Sequence, residues 1–247
     1  MTGESMGNKS LLNVKTVPIT DKLIIRIPTV GEVLDNQDMY FTMVSILTST
    51  PFQYMVQLDD LGIDYTAITP YQMFLTFFPL YIHEDLSILF GDIDLSDFGV
   101  YENKQNDTTV LYNPSNDIII DELVYENMAT VLRQINLLKK VLSKPGNENA
   151  KEYLLEKERK RLKRLARERK KKSFEISEFE KHVIALVNNK DFKYNYEDVG
   201  NLSIYKFYQS FKQIQTNINF NNVMRGVYAG TVDTTKIDKS VLSWIPS

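Results

Sequence analysis

Two histidines, a run of aspartates and one dense basic segment hold most of the side chains here that could bind or transform something. Imidazole can move a proton near neutral pH or hold a metal, but a metal site needs three or four ligands gathered together. His83 follows an aromatic run, and His182 follows directly on Glu180 and Lys181. Neither lies in a His-x-x-x-His or Glu-x-x-His pattern. Glu178, four residues before His182, shares its helical face, yet one carboxylate and one imidazole do not make a site. Both histidines read as structural or surface residues.

The aspartates fare no better. Asp92-Ile93-Asp94-Leu95-Ser96-Asp97 invites comparison with a calcium loop, which requires Gly at its sixth position and a bidentate Glu at its twelfth. Asp97 and Asn103 stand there instead, so a solvated turn is expected. Asp59, Asp60 and Asp64 surround Gly62, as at the end of a helix and its loop. With no cysteine, thiolate metal sites, thiol nucleophiles and disulfides are excluded. A Gly-x-x-x-x-Gly-Lys-Ser/Thr loop, a Gly-x-Gly-x-x-Gly turn and a Gly-x-Ser-x-Gly elbow are also missing. The expectation is a protein that is not an enzyme, with no catalytic residue, no metal and no cofactor.

The basic segment is the strongest signal. From Lys151 to Lys172 there are twelve Lys or Arg against four Glu, a net +8, whereas the rest of the chain carries −11. At about 100° per residue, Leu154, Leu155, Leu162, Leu165 and Ala166 share one third of the helix circumference. Arg159, Lys160, Lys163, Arg164, Arg167, Lys170 and Lys171 fill much of the other side and are the candidate partner-binding residues. Three uses rank in order: a solvated helix packed by its leucines, docking on acidic surface of this chain or of a second copy, and contact with nucleic acid or anionic membrane. The last is weakest because only Tyr153 could stack on bases and no Trp or Phe anchors the apolar face. Trp244, the single tryptophan, either latches the tail to the core or offers a partner an anchor.

The elements around these residues follow from caps and periodicity. Val17–Ile27 reads as an edge strand between Pro18 and Pro28, followed by a helix capped by Thr29 and Glu32. Thr50-Pro51-Phe52-Gln53 and Thr69-Pro70-Tyr71-Gln72 open two more helices, the first stopped by Gly62. GVYENKQNDTTVLY, between Phe98 and Tyr112, reads as a hairpin turning over Asn103–Asp107, with a β-like run at Asp117–Ile120. Val124, Met128, Val131, Ile135, Leu138 and Leu142 form one stripe along a helix of about five or six turns.

Lys144-Pro145-Gly146-Asn147 breaks that helix before the basic one begins. Ser177 opens the next helix. Ser203 opens a long one with Ile204, Tyr208, Phe211, Ile214 and Ile218 on a face, and Gly230 stops it. The aromatics Tyr71, Phe74, Phe77, Phe78 and Tyr81, and Tyr205, Phe207, Tyr208 and Phe211, have core spacing. The fold class is mainly α with a minor β part, in three sections: an α+β part over 1–116, a long helix and basic arm over 117–172, and a helical part over 173–247. The most apolar window, Met73–Ile82, is too short to span a bilayer, and MTGESMGNKS lacks a signal peptide's apolar stretch, so the cytoplasm is expected.

Several stretches together carry a resemblance: IPTVGEVL from Ile27, VQLDDLGID from Val56, DIIIDELVY from Asp117 and KPGNENAKEYLLEKERKRLKR from Lys144. IALVNN from Ile184, FKYNYE from Phe192, LSIYKF from Leu202 and GVYAGTVD from Gly226 complete it. The combination is similar to proteins of bacteriophages and prophages of AT-rich Gram-positive bacteria, and resembles their tail-morphogenesis set. That resemblance implies a helical tail-assembly chaperone whose partners are the tape-measure protein, tail-tube subunits or copies of itself. An adaptor or baseplate subunit of the virion is the alternative, and a phosphate-contacting nucleic-acid accessory protein comes after it. It transfers no binding residue.

Overall fold

The Ile-rich stretch that reads as one edge strand folds back on itself. In the computed structural model, which describes residues 10–103, 108–171 and 176–246, a short 3-10 turn (Leu11–Asn13) leads into β1 (Thr16–Pro18). β1 pairs antiparallel with β2 (Ile24–Arg26), Val17 opposite Ile25. The reversal is made locally: Ile19 N donates to Leu23 O at 2.8 Å, and the Thr20 hydroxyl accepts from Leu23 N at 3.0 Å. A polar Thr-Asp-Lys triplet offers these turn bonds, and folding back brings Val17 beside Ile25 in the core.

The caps work as their spacing demands. α1 (Val30–Asp35) starts with Thr29 Oγ1 accepting from Glu32 N at 3.2 Å, while Glu32 accepts from Thr29 N at 2.7 Å. α2 (Gln37–Thr48) follows, burying Tyr40, Met43, Val44, Ile46 and Leu47. A 3-10 turn (Pro51–Tyr54) runs into α3 (Met55–Asp60), which ends at Gly62 with φ +73°. Gln53 accepts from Thr50 N at 3.1 Å, but the Thr50 hydroxyl donates to Val141 O at 3.0 Å. α4 (Pro70–Phe77) has its full Thr69–Gln72 box and continues as a 3-10 turn (Phe78–Leu80), before α5 (Ser87–Phe90).

A meander of β3 (Gly99–Asn103), β4 (Thr108–Asn113) and β5 (Ile118–Ile120) supplies the second small sheet. It contains both the expected hairpin and the expected run at Asp117–Ile120; residues 104–107 of the expected turn lie outside the described ones.

α6 (Glu122–Ile135) is shorter than its stripe suggests. Asp121 caps it, and Met128, Val131 and Ile135 are buried, but Leu138 and Leu142 are exposed beyond its end. Leu137 takes φ +51°, and Leu138 N reaches back to Arg133 O at 2.8 Å. That is a Schellman ending without its usual glycine. Buried polar groups hold the helix end in place. Arg133 donates to Thr48 O at 3.0 and 3.1 Å, and Asn136 accepts from the Tyr40 hydroxyl at 2.8 Å.

α7 (Glu148–Lys171) is the basic helix, its first turn capped by Asn147. α8 (Glu178–Val187), α9 (Tyr196–Val199) and α10 (Ile204–Tyr228) complete the chain, capped by Ser177, Asn195 and Ser203. Gly230, φ +71°, follows α10, and a 3-10 turn (Lys239–Leu242) folds back against it. On α10, Ile204, Phe207 and Ile214 are buried, but Ile218 is 45% exposed, so the expected apolar face stops short of it.

The fold is mainly α with a minor β part, and one hydrophobic cluster runs from Val17 to Ile214. The C-terminal helices are built into that cluster. Phe179 of α8 sets its ring edge-on to Phe41 of α2 and to Phe207 of α10, each at 5.5 Å. The backbone at the start of α1 pairs with the start of α10: Val30 N donates to Leu202 O, and Ile204 N to Pro28 O, both at 2.8 Å. A Cβ on Gly31 would stand 3.1 Å from Gly200 O, so this approach favours glycine. The aromatic clusters do pack in the core, with Phe74, Phe78 and Phe207 fully buried. Among the described residues no helix is long and apolar enough to cross a membrane.

Candidate functional site, a cationic helix over an acidic helix end

Asp59 and Asp60 close α3, where the carbonyl end of the helix already presents negative potential. Asp64 lies just past Gly62, its carboxylate accepting from the Thr66 amide and hydroxyl at 2.8 Å each. α7 supplies the cations. Arg159 Nη2 donates to Asp59 at 2.5 Å and to Asp60 at 2.6 Å, and Lys151 Nζ meets Asp64 at 2.9 Å and Glu148 at 3.0 Å. Lys151 and Arg159 are eight residues apart, so the two pins sit about 12 Å apart along the helix. Leu154, Leu155 and Leu162 pack half-buried against the core.

The ionisation of these groups registers the pairing. The Lys151 ammonium, together with the Thr66 donors, holds the Asp64 carboxyl down at about 2, against an ordinary 3.8. Asp59, and then Asp60, push the Arg159 guanidinium further up.

The candidate partner-binding residues separate into groups. Arg159 is engaged within the chain. Lys160 pairs with Glu156 at 2.6 Å, and Arg164 with Glu168 at 3.8 Å, along the helix itself. Lys163, Arg167 and Lys170 are exposed and have no ion-pair partner among the described residues. The Lys171 side chain lies outside the described ones. Trp244 is bound by its backbone: its carbonyl accepts from Gln213 of α10 at 2.8 Å, while its side chain stays exposed.

Lys160 and Arg164 also border a groove of about 530 Å³ between α7 and the turn leading into α3. Its floor is apolar, made by Phe52, Met55 and Leu154; Lys157, Arg161 and Glu158 complete the rim. Glu158 accepts from Arg161 at 2.5 and 2.7 Å. The sequence reading missed Phe52, Met55, Lys157 and Arg161. The one signal for Lys157 and Arg161 was their position three and seven residues beyond Leu154, a leucine on the packed edge.

The other chemistry-bearing residues are scattered. His83, Asp85, Asp92 and Asp94 line a shallow depression of about 380 Å³. Asp85 and Asp94 are occupied by turn bonds to Ser87 and Ser96, which lower both carboxyls. His182 lies exposed on α8, its ring 5.3 Å from that of Phe211. Among the described residues no three His, Asp or Glu converge as an ion would require.

No curated protein and no solved structure matches the chain. A family model does match its last third, from the final turn of α7 through α8, α9 and α10. Residues 169–247 are similar to the YomV second domain, a phage- and prophage-associated family.

Proposed function

We propose that this chain is a non-enzymatic phage morphogenesis protein, a tail-assembly chaperone that holds tape-measure or tail-tube subunits reversibly in the host cytoplasm. The observation that carries the reading is the similarity of residues 169–247 to a phage-associated family. The surface suits holding and releasing: a cationic helix end with Lys163, Arg167 and Lys170 facing solvent, a groove with an apolar floor, and a tail that exposes Trp244 and Ile245. Amphipathic surfaces of this kind capture helical segments of other chains without a cofactor.

The test compares infected-cell lysate with purified particles by quantitative mass spectrometry. A chaperone is present in the lysate, co-purifies there with tape-measure or tube protein, and is absent from particles. A fixed copy number in particles would replace this reading with that of an adaptor or baseplate subunit.

A further inference from the structure

We infer that the groove between α7 and the turn before α3 is a docking site for an acidic amphipathic segment of a protein partner, with apolar side chains on one face and Glu or Asp on the other. The inference deepens the binding role proposed above and rests on it.

Charge and shape both point to that occupant. The floor of Phe52, Met55 and Leu154 offers apolar contact. Four cations, Lys157, Lys160, Arg161 and Arg164, stand on the rim against one carboxylate, Glu158. Glu158 is held by Arg161, and Lys160 and Arg164 have only helix neighbours as partners, which an incoming carboxylate can exchange for its own. Lys157 has no ion-pair partner among the described residues.

A purely anionic polymer would use the rim and leave the floor uncovered. A neutral apolar segment would cover the floor and leave the cations unmatched. A segment with both faces satisfies both, in the manner of a helix laid in a groove. The docked position of α7 is what forms the site, because Arg159 on Asp59 and Asp60 sets the helix beside α3.

The experiment measures fluorescence anisotropy of a labelled helical peptide with Leu and Phe on one face and Glu on the other, titrated with the full chain. Polyglutamate, the same peptide with Lys in place of Glu, and a single-stranded oligonucleotide serve as controls. The acidic amphipathic peptide binds best, and its affinity drops as salt rises. Lys157→Glu together with Arg164→Glu weakens it about tenfold or more while circular dichroism stays unchanged, since both positions are exposed.

Equal binding of polyglutamate, tighter binding of the oligonucleotide, indifference to the double charge reversal, or no binding of the amphipathic peptide would each overturn the inference. If the chain is found in finished particles yet still binds the peptide in this manner, the groove stands and only the chaperone role falls.

Discussion

α6 and α7 are both amphipathic helices, and the chain treats them in opposite ways. α6 sinks into the core, with Met128, Ala129, Leu132 and Ile135 wholly enclosed. α7 has no fully buried side chain among the described residues and is held by half-buried leucines and two ionic pins. What separates them is the polar complement. Arg133 and Asn136 at the end of α6 have enclosed partners in Thr48 O and the Tyr40 hydroxyl, so that end can be closed off from water. On α7 nearly every polar position is ionic, and burying so many charges without matched partners would cost far more than the leucines return. Spacing makes a helix; the residues between the apolar ones decide how deep it lies.

The sharpest way to break this contrast is a matched truncation. Leu132→Ala should cost about 2–5 kcal/mol in chemical denaturation, whereas Leu155→Ala should cost roughly 1 kcal/mol, the centre of ordinary substitutions. Equal losses would mean that α7 is as much a core element as α6. Next in size, Asn136→Ala strands the Tyr40 hydroxyl in apolar surroundings and should cost about 1–3 kcal/mol, with Tyr40→Phe in the same background restoring much of it.

A smaller effect is expected at the pins. Arg159→Ala should leave the global denaturation midpoint almost unmoved, because exposed ion pairs contribute little. Amide exchange should instead quicken along α7 while α6 keeps its protection. Slower or unchanged exchange in α7 would show that the leucines alone hold it.

The most local test is the titration of Asp64 by NMR. Its carboxyl is depressed to about 2, so the Lys151 contact is complete above 3.8 and is lost as the pH falls toward 2. Lys151→Met should raise the midpoint part of the way to 3.8, because the Thr66 amide and hydroxyl still donate. An unmoved midpoint would assign the whole depression to Thr66.

Much of the scaffold was legible because its signals are local. Thr29 with Glu32, and Thr69 with Gln72, place helix starts to the residue, and Gly62 and Gly230 mark the ends where a left-handed backbone is needed. Where the reading failed, a less common local choice competed with a regular pattern. Leu137 enters the left-handed region without being glycine, so the stripe through Leu138 and Leu142 continued on paper after the helix had ended. Thr20-Asp21-Lys22 bent a run whose isoleucines suggested one strand.

The candidate site was half visible. The amphipathic character of α7 is a property of adjacent residues, and docking on acidic surface is one of the uses that its charge suggests. That Arg159 would choose Asp59 and Asp60, and that Phe52 and Met55 would floor a groove with Leu154, depends on contacts between segments about a hundred residues apart. No periodicity encodes these contacts.

The bridge between Thr29 and Ser203 carries a consequence for biosynthesis. The first helix finds its backbone neighbours, and Phe41 its ring partner Phe179, only after well over a hundred further residues have left the ribosome. Such distant closure slows folding and leaves a nascent, greasy surface open in the meantime. A protein proposed to shelter the sticky segments of others would thus begin life with one of its own uncovered.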